Sequence, residues 1–177
     1  MEFSRPFEKL SKSDAVIAGG KGASLGEMTQ AGIPVPEGFV VLSTTFDTFI
    51  KKADLVQEVE AILLNVDHKA VHTVEAASEK IQGLIMAAAM PEEIATDIIA
   101  GFETLDSKFV AVRSSATAED GADHAWAGQL DSYLNTKKEN VLERVKECWA
   151  SLFTARASFC RLEKGLHLTQ LSVAVVI

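Results

Sequence analysis

The stretch from Phe109 to Asn135 limits what this chain can fold into more than any other. It opens with an apolar run, Phe109-Val110-Ala111-Val112, that ends on Arg113. A short apolar run rich in β-branched residues reads as a buried strand. Small hydroxyl and acidic residues follow, Ser114, Ser115, Thr117, Glu119 and Asp120. A second strand-like run spans Gln129 to Leu134 and is introduced by the pair Gly128-Gln129. Within it Leu130, Ser132 and Leu134 alternate with Asp131 and Tyr133. The pattern predicts rigid strands behind an anion-binding mouth, with one guanidinium at a strand end and loop hydroxyls and N–H groups in front. Arg113 has a second reading, an ion pair with Glu119 or Asp120, and these residues alone leave both open.

The segments on either side are consistent with a mixed fold. Residues 1–14 are polar with Phe3, Phe7 and Leu10 as isolated anchors, and Ala15 to Ala18 is a short apolar run. A helix is expected after the glycines, to about Ala31, with Leu25 and Met28 on one face. Gly32 stands where a left-handed C-terminal residue belongs, and Pro34 and Pro36 prevent continuation. Phe39–Leu42 reads as a buried strand, and Ser43-Thr44-Thr45 as the cap of a short helix from Phe46 to Lys52. From about 54 to 105 the periodicity is helical throughout, with one stripe of Leu55, Val59, Ile62 and Leu63 and another of Val71, Val74, Ala77, Ile81, Leu84 and Ile85. Pro91-Glu92-Glu93 marks a helix start, ahead of Ile94, Ile98, Phe102 and Leu105. This stretch reads as a helical insertion between sheet segments. Val141, Val145, Cys148, Trp149, Leu152, Phe153, Phe159 and Leu162 recur along one long or broken helix ended by Gly165. Leu171 to Ile177 is again strand-like, and a chain stopping in a core strand is expected to be a fragment.

Gly19-Gly20-Lys21-Gly22 is the second candidate for chemistry. A Walker A loop needs a glycine five residues before the Gly-Lys and a hydroxyl after it, but position 15 is Ala and position 22 is Gly. Two readings stand: a flexible turn before a helix, or a phosphate cradle in which backbone N–H groups, the helix N-terminus and Lys21 meet an anion. His68 and His72 are four apart on a predicted helix, without a third metal ligand nearby, and read as solvated. His124 and His167 receive no role, and Trp126 and Tyr133 read as packing residues rather than base-stacking ones.

Bulk properties exclude several classes. A net charge of -8 over 177 residues argues against non-specific nucleic-acid binding. No apolar run is long enough to span a bilayer, and the N-terminus carries no signal region. Cys148 and Cys160 are the only cysteines and form no CxxC pair, so two buried thiols in a reducing cytoplasm are expected.

Two blocks in order carry a resemblance: Gly19–Gly22 with Gly32-Ile-Pro-Val-Pro-Glu-Gly38-Phe39, and Val112–Asp120 with Ala127-Gly128-Gln129. In these the chain, from about residue 5 to its end, resembles the N-terminal nucleotide-binding domain of the phosphoenolpyruvate synthase and pyruvate phosphate dikinase family, which rifampin phosphotransferase shares. A dinucleotide-binding reading explains neither Val-Arg-Ser-Ser nor Ala-Gly-Gln. The resemblance implies an α/β (α+β) chain, the first subdomain of an ATP-grasp type domain, with residues 1–177 an incomplete N-terminal ATP-binding domain. It implies that Lys21 and Arg113 contact ATP phosphates, that Gly128 of the Ala-Gly-Gln loop lies against them with Gln129 beside it, and that Ser132 adds a hydroxyl. It implies phosphoryl transfer with Mg²⁺, whose ligands are expected outside this chain. The second half of the grasp, a phospho-histidine domain and a pyruvate domain are the implied partners. Alone the chain is expected to be inactive. Alternatives are a truncated nucleotide-binding or regulatory module, or part of a rifampin phosphotransferase-like enzyme. The loop Asp120-Gly121-Ala122-Asp123-His124-Ala125-Trp126 departs from the family's Asp-Leu-Pro pattern, so its lid geometry is open.

Overall fold

A single sheet lies between one helix and a block of helices. The structure is a computed structural model that describes residues 2–67, 69–117, 131–158 and 173–177. Its five strands are β1 (Ser4–Pro6), β2 (Phe39–Val41), β3 (Val110–Ala116), β4 (Ser132–Thr136) and β5 (Val173–Val176), in the order β1-β2-β5-β3-β4. Every pairing is antiparallel. The C-terminal strand β5 is therefore central, and its four residues are all buried. Its Ala174 and Val176 turn to one face with Val40, while Val173 and Val175 turn to the other with Phe39 and Val41. A strand covered on both faces reads as a continuous apolar run, as Val173–Val176 does.

The first face is covered by α1 (Ala15–Gln30), with Phe7, Leu10 and Ala18 completing the small core beneath it. The side of α1 that meets the sheet is not the predicted Leu25–Met28 side. Gly22, Ala23 and Gly26 are buried instead, Leu25 is half-buried and Met28 is exposed. A Cβ on Gly26 would lie 2.4 Å from the Leu10 carbonyl oxygen, so the approach is too close for any side chain. The helix also begins before the glycines rather than after them, broken at Gly19 by φ 69° and ψ 168°. At its far end Gly32 has φ 72°. The Gly32 N–H donates to the Thr29 carbonyl and the Ile33 N–H to the Met28 carbonyl, a Schellman ending at the predicted position.

The second face is covered by α2 (Ser43–Lys52), α3 (Val56–Leu64), α4 (Val71–Ala87), α5 (Glu92–Thr104) and α6 (Val141–Ala150). The helical expectation for 54–105 holds as three helices. Two details differ. Ser43, Thr44 and Thr45 lie inside the first turn of α2 rather than capping a later start, with Thr45 Oγ1 donating to the Phe3 carbonyl at 2.6 Å. Val71 opens α4 on its solvent side, 52% exposed, so it leaves the predicted stripe. After α6 the helix breaks at a 3-10 turn, Ser151–Phe153, and resumes over 155–158. Trp149 is the hub of this core, with ring centroids 4.9 Å from Phe49 and 5.7 Å from Phe46. Phe159, Cys160, Leu162, Gly165, His167 and Leu171 lie outside the described residues. Among the described residues, no helix is long and apolar enough to cross a membrane.

Candidate functional site

Strand β3 runs past Arg113, which is mid-strand rather than at a strand end. Alternation then decides which side each neighbour serves. Val112 and Ser114 face the helical core, and Arg113 and Ser115 face α1. In register, Arg113 sits opposite Val176 of β5 and opposite Ser132 of the edge strand β4. The Arg113 Nε donates to Ser132 Oγ at 3.4 Å, a long contact on an exposed guanidinium. No described carboxylate is ion-paired with Arg113. Glu119 and Asp120, the partners of the alternative reading, lie outside the described residues, as do Gly128, Gln129, His124 and Trp126.

Ser114 and Ser115 are buried strand residues, not the loop hydroxyls expected of them. The Ser114 N–H and Oγ both donate to the Asp131 carbonyl, at 3.2 and 2.9 Å, which ties β3 to the start of β4. The Ser115 Oγ accepts from the Lys21 N–H at 3.2 Å and from the Gly22 N–H at 3.4 Å. Those are N–H groups of the helical turn that follows the Gly19 break, the groups the phosphate-cradle reading would leave for an anion. A protein hydroxyl occupies them instead. The kink at Gly19 permits it: a Cβ there would stand 2.2 Å from Ser115 Oγ.

Lys21 leaves this turn with its ammonium against the sheet, donating to the Ser114 carbonyl at 2.7 Å. Burial of that end lowers the pKa below the usual lysine value, and the Arg113 guanidinium lowers it further. The two cations therefore sense each other on one face of the sheet, with Ser132 beside them. Lys21, Arg113 and Ser132 are thus brought together from α1, β3 and β4. The two hydroxyl residues between them in function, Ser114 and Ser115, were not singled out for this from the sequence. Continuation of the period-two pattern past Arg113 was the available signal, because it turns Ser115 toward α1.

The other face of β4 does a different job. The alternation of its residues is as expected, but Tyr133 is the half-buried member and Leu134 is 72% exposed. The Tyr133 hydroxyl donates to Asp131 Oδ2 at 3.1 Å and the Arg144 guanidinium lies 5.1 Å from the ring centroid, which is packing. Burial and the neighbouring Asp131 carboxylate push its phenol well above the usual range. His72, in α4, lines an open cleft with Glu58 and Lys80, and His68 lies outside the described residues. Among the described residues no group of three or more His, Cys, Asp or Glu side chains could hold a metal ion.

Residues 15–177 match the family described as pyruvate phosphate dikinase, AMP/ATP-binding domain. The chain belongs to this family. It is 46% identical over 178 aligned positions to the probable phosphoenolpyruvate synthase of Methanothermobacter thermautotrophicus, covering 97% of this chain and 26% of that protein. The probable phosphoenolpyruvate synthase of Methanocaldococcus jannaschii is 44% identical over 184 positions, covering 100% of this chain and 16% of the relative. The phosphoenolpyruvate synthase of Pyrococcus furiosus is 35% identical over 214, covering 99% and 26%. The chain thus spans about a quarter or less of the length of these relatives. For a member of an AMP/ATP-binding domain family, paired cations on an open sheet face are chemically apt, since a polyphosphate brings several negative charges to one place.

Proposed function

We propose that this chain is the ATP-binding portion of a phosphoenolpyruvate synthase-like dikinase, the first subdomain of an ATP-grasp type domain extending over residues 1–177. The observation that carries this is the convergence of Lys21, Arg113 and Ser132 on one sheet face, with neither cation ion-paired among the described residues. In this reading the Arg113 fork grips phosphate oxygens, Lys21 supplies a mobile point charge, and Ser132 donates its hydroxyl. The family resemblance assigns Gly128 and Gln129 to the same phosphates in this reading. The reaction is ATP, pyruvate and water to AMP, phosphoenolpyruvate and phosphate, with the β-phosphoryl group carried on a histidine in the remaining length of the full protein. What these residues contribute is positioning and neutralisation of charge that grows on the phosphate oxygens.

Mg²⁺ supplies charge neutralisation at the phosphates in such chemistry. In this reading its protein ligands lie outside this chain, and among the described residues no group of three or more His, Cys, Asp or Glu side chains gathers near the two cations. The reading is that of a cytoplasmic protein, in keeping with a free, buried Cys148.

The test is an ATP titration followed by backbone amide NMR. ATP is expected to shift the amides of Lys21 and Ser132, and Arg113→Ala to weaken the interaction by about tenfold. An Arg113→Ala protein that titrates like the parent would refute the proposal.

A further inference from the structure

We propose that Ser115 is a positioning residue for Lys21: its hydroxyl pins the turn of α1 that follows the Gly19 break to β3 and so fixes where the lysine ammonium stands relative to the Arg113 guanidinium. This rests on the reading of the two cations as phosphate ligands. Ser115 is fully buried, and its Oγ takes N–H groups from Lys21 itself and from Gly22. Its main chain is held in register by Ala174 of the central strand. The preceding residue of the same strand, Ser114, offers its carbonyl to the Lys21 ammonium. Both ends of the lysine are therefore attached to consecutive residues of β3, the backbone by Ser115 and the side chain by Ser114.

Arg113 is two residues from Ser115 on the same strand and faces the same side. Two strand residues span about 7 Å. The spacing between the arginine and the anchor of the lysine is thus set by strand geometry rather than by a loop. The Gly19 break is part of the device. With no Cβ there, the chain turns so closely over Ser115 that the hydroxyl reaches the N–H groups of Lys21 and Gly22. The N–H groups of this helical turn, the kind that hold anions elsewhere, are used instead to hold a side chain that can. Nothing in this requires Ser115 to touch nucleotide.

The experiment compares the parent chain with Ser115→Ala, Lys21→Met and the double variant, using two readouts. The first needs no nucleotide: NMR of the lysine ζ-ammonium groups. In the parent, Lys21 titrates below the ordinary lysine value, and in Ser115→Ala it moves up toward that value while circular dichroism reports a folded protein. The second is ATP affinity from the amide titration. Ser115→Ala is expected to weaken ATP binding about fivefold in the parent background and to change it little in the Lys21→Met background, because the effect passes through the lysine. Ser115→Cys, which keeps the volume but is a poor acceptor, replaces the alanine variant if that does not fold. An unchanged Lys21 titration in a folded Ser115 variant overturns the proposal. So does an equal loss of ATP affinity with and without Lys21. A parent chain in which ATP shifts neither Lys21 nor Ser132 counts against the phosphate-site reading instead, and the ammonium titration still decides the role of Ser115.

Discussion

Gly19→Ala is expected to be far more damaging than Gly32→Ala or Gly83→Ala, and the structure says by how much. At φ 69° and ψ 168° the backbone occupies a region that only glycine enters without strain, at a cost of about 1–3 kcal/mol for another residue. The added Cβ would also lie 2.2 Å from Ser115 Oγ and 2.6 Å from the Ser115 carbonyl oxygen. The hydroxyl could rotate away, but the carbonyl is backbone, so strand β3 or helix α1 must move, at about 1–3 kcal/mol more. The sum is about 4 kcal/mol, against a typical total stability of about 5–15 kcal/mol. Two other glycines supply the controls. Gly32 has φ 72° but open space around a Cβ, so Gly32→Ala should cost only the conformational part, about 1–2 kcal/mol. Gly83 lies inside α4, also in open space, and Gly83→Ala should stabilise by about 1 kcal/mol. Urea unfolding followed by circular dichroism gives all three from one protocol. If Gly19→Ala and Gly32→Ala lose equal stability, the contact with Ser115 costs nothing and the argument for a close-fitted turn is wrong.

Two further expectations concern titration. Lys21 has a folded-state pKa below its ordinary value of 10.5, because its ammonium end is partly buried and Arg113 is near. Between the folded and unfolded values the unfolded chain binds more protons, so stability rises with pH across that window as an unfavourable charge is relieved. Lys21→Met should remove this rise, and urea midpoints measured from pH 8 to 11 would contradict the assignment if parent and variant ran parallel. Cys148 is fully buried and its thiol is pushed up to about 12 by that burial, with only a partial opposing effect from its hydrogen bond to Ser114. At pH 8 a thiol of that kind is about one part in ten thousand thiolate. In a Cys160→Ser background the folded chain should leave Ellman's reagent unreacted until urea opens it, and rapid reaction of folded protein would count against the burial described.

The parts of the fold that bury large side chains were legible in the sequence. The stripes of α4, α5 and α6 and the runs of β2 and β5 follow ordinary apolar periodicity, and their described members pack as that periodicity requires, Val71 at the start of α4 excepted. Helix α1 was misread because its packed face is Gly22, Ala23 and Gly26. A face made of missing side chains has no hydrophobic signal, and Leu25 with Met28 was the only one visible. Strand β4 shows a related failure. Its alternation was plain, but the more apolar residue of the pair, Leu134, is the exposed one. Its inner face carries Tyr133, which the Arg144 guanidinium covers from α6, a contact no local pattern could announce. Asn135 has φ 54° where β4 gains a residue against β3, so the strand is also bulged. Arg113 and Lys21 were legible as candidate anion ligands from their local patterns and Ser132 only from the family resemblance, while their arrangement on one face came from strand register.

That arrangement bears on how strongly such a face can hold a nucleotide. The N–H groups at the Gly19 break are engaged by Ser115, so attraction rests on two side chains rather than on a helix terminus. Arg113 is exposed, and Lys21 keeps part of its surface toward solvent. In water each cation gains about 1 kcal/mol from a phosphate charge 4 Å away, and less as salt is added. Two such cations with a hydroxyl and a few weaker contacts amount to about 3–4 kcal/mol, which corresponds to dissociation constants in the millimolar range or weaker. The same pair in a closed, water-poor cleft would gain several-fold more from each contact. Weak, salt-sensitive binding by these 177 residues is therefore the behaviour expected of a fixed cationic floor whose strength depends on what covers it. Micromolar binding of ATP that persists in 0.5 M salt would contradict that view, since it would require a buried contact that this open face of α1, β3 and β4 does not provide among its described residues.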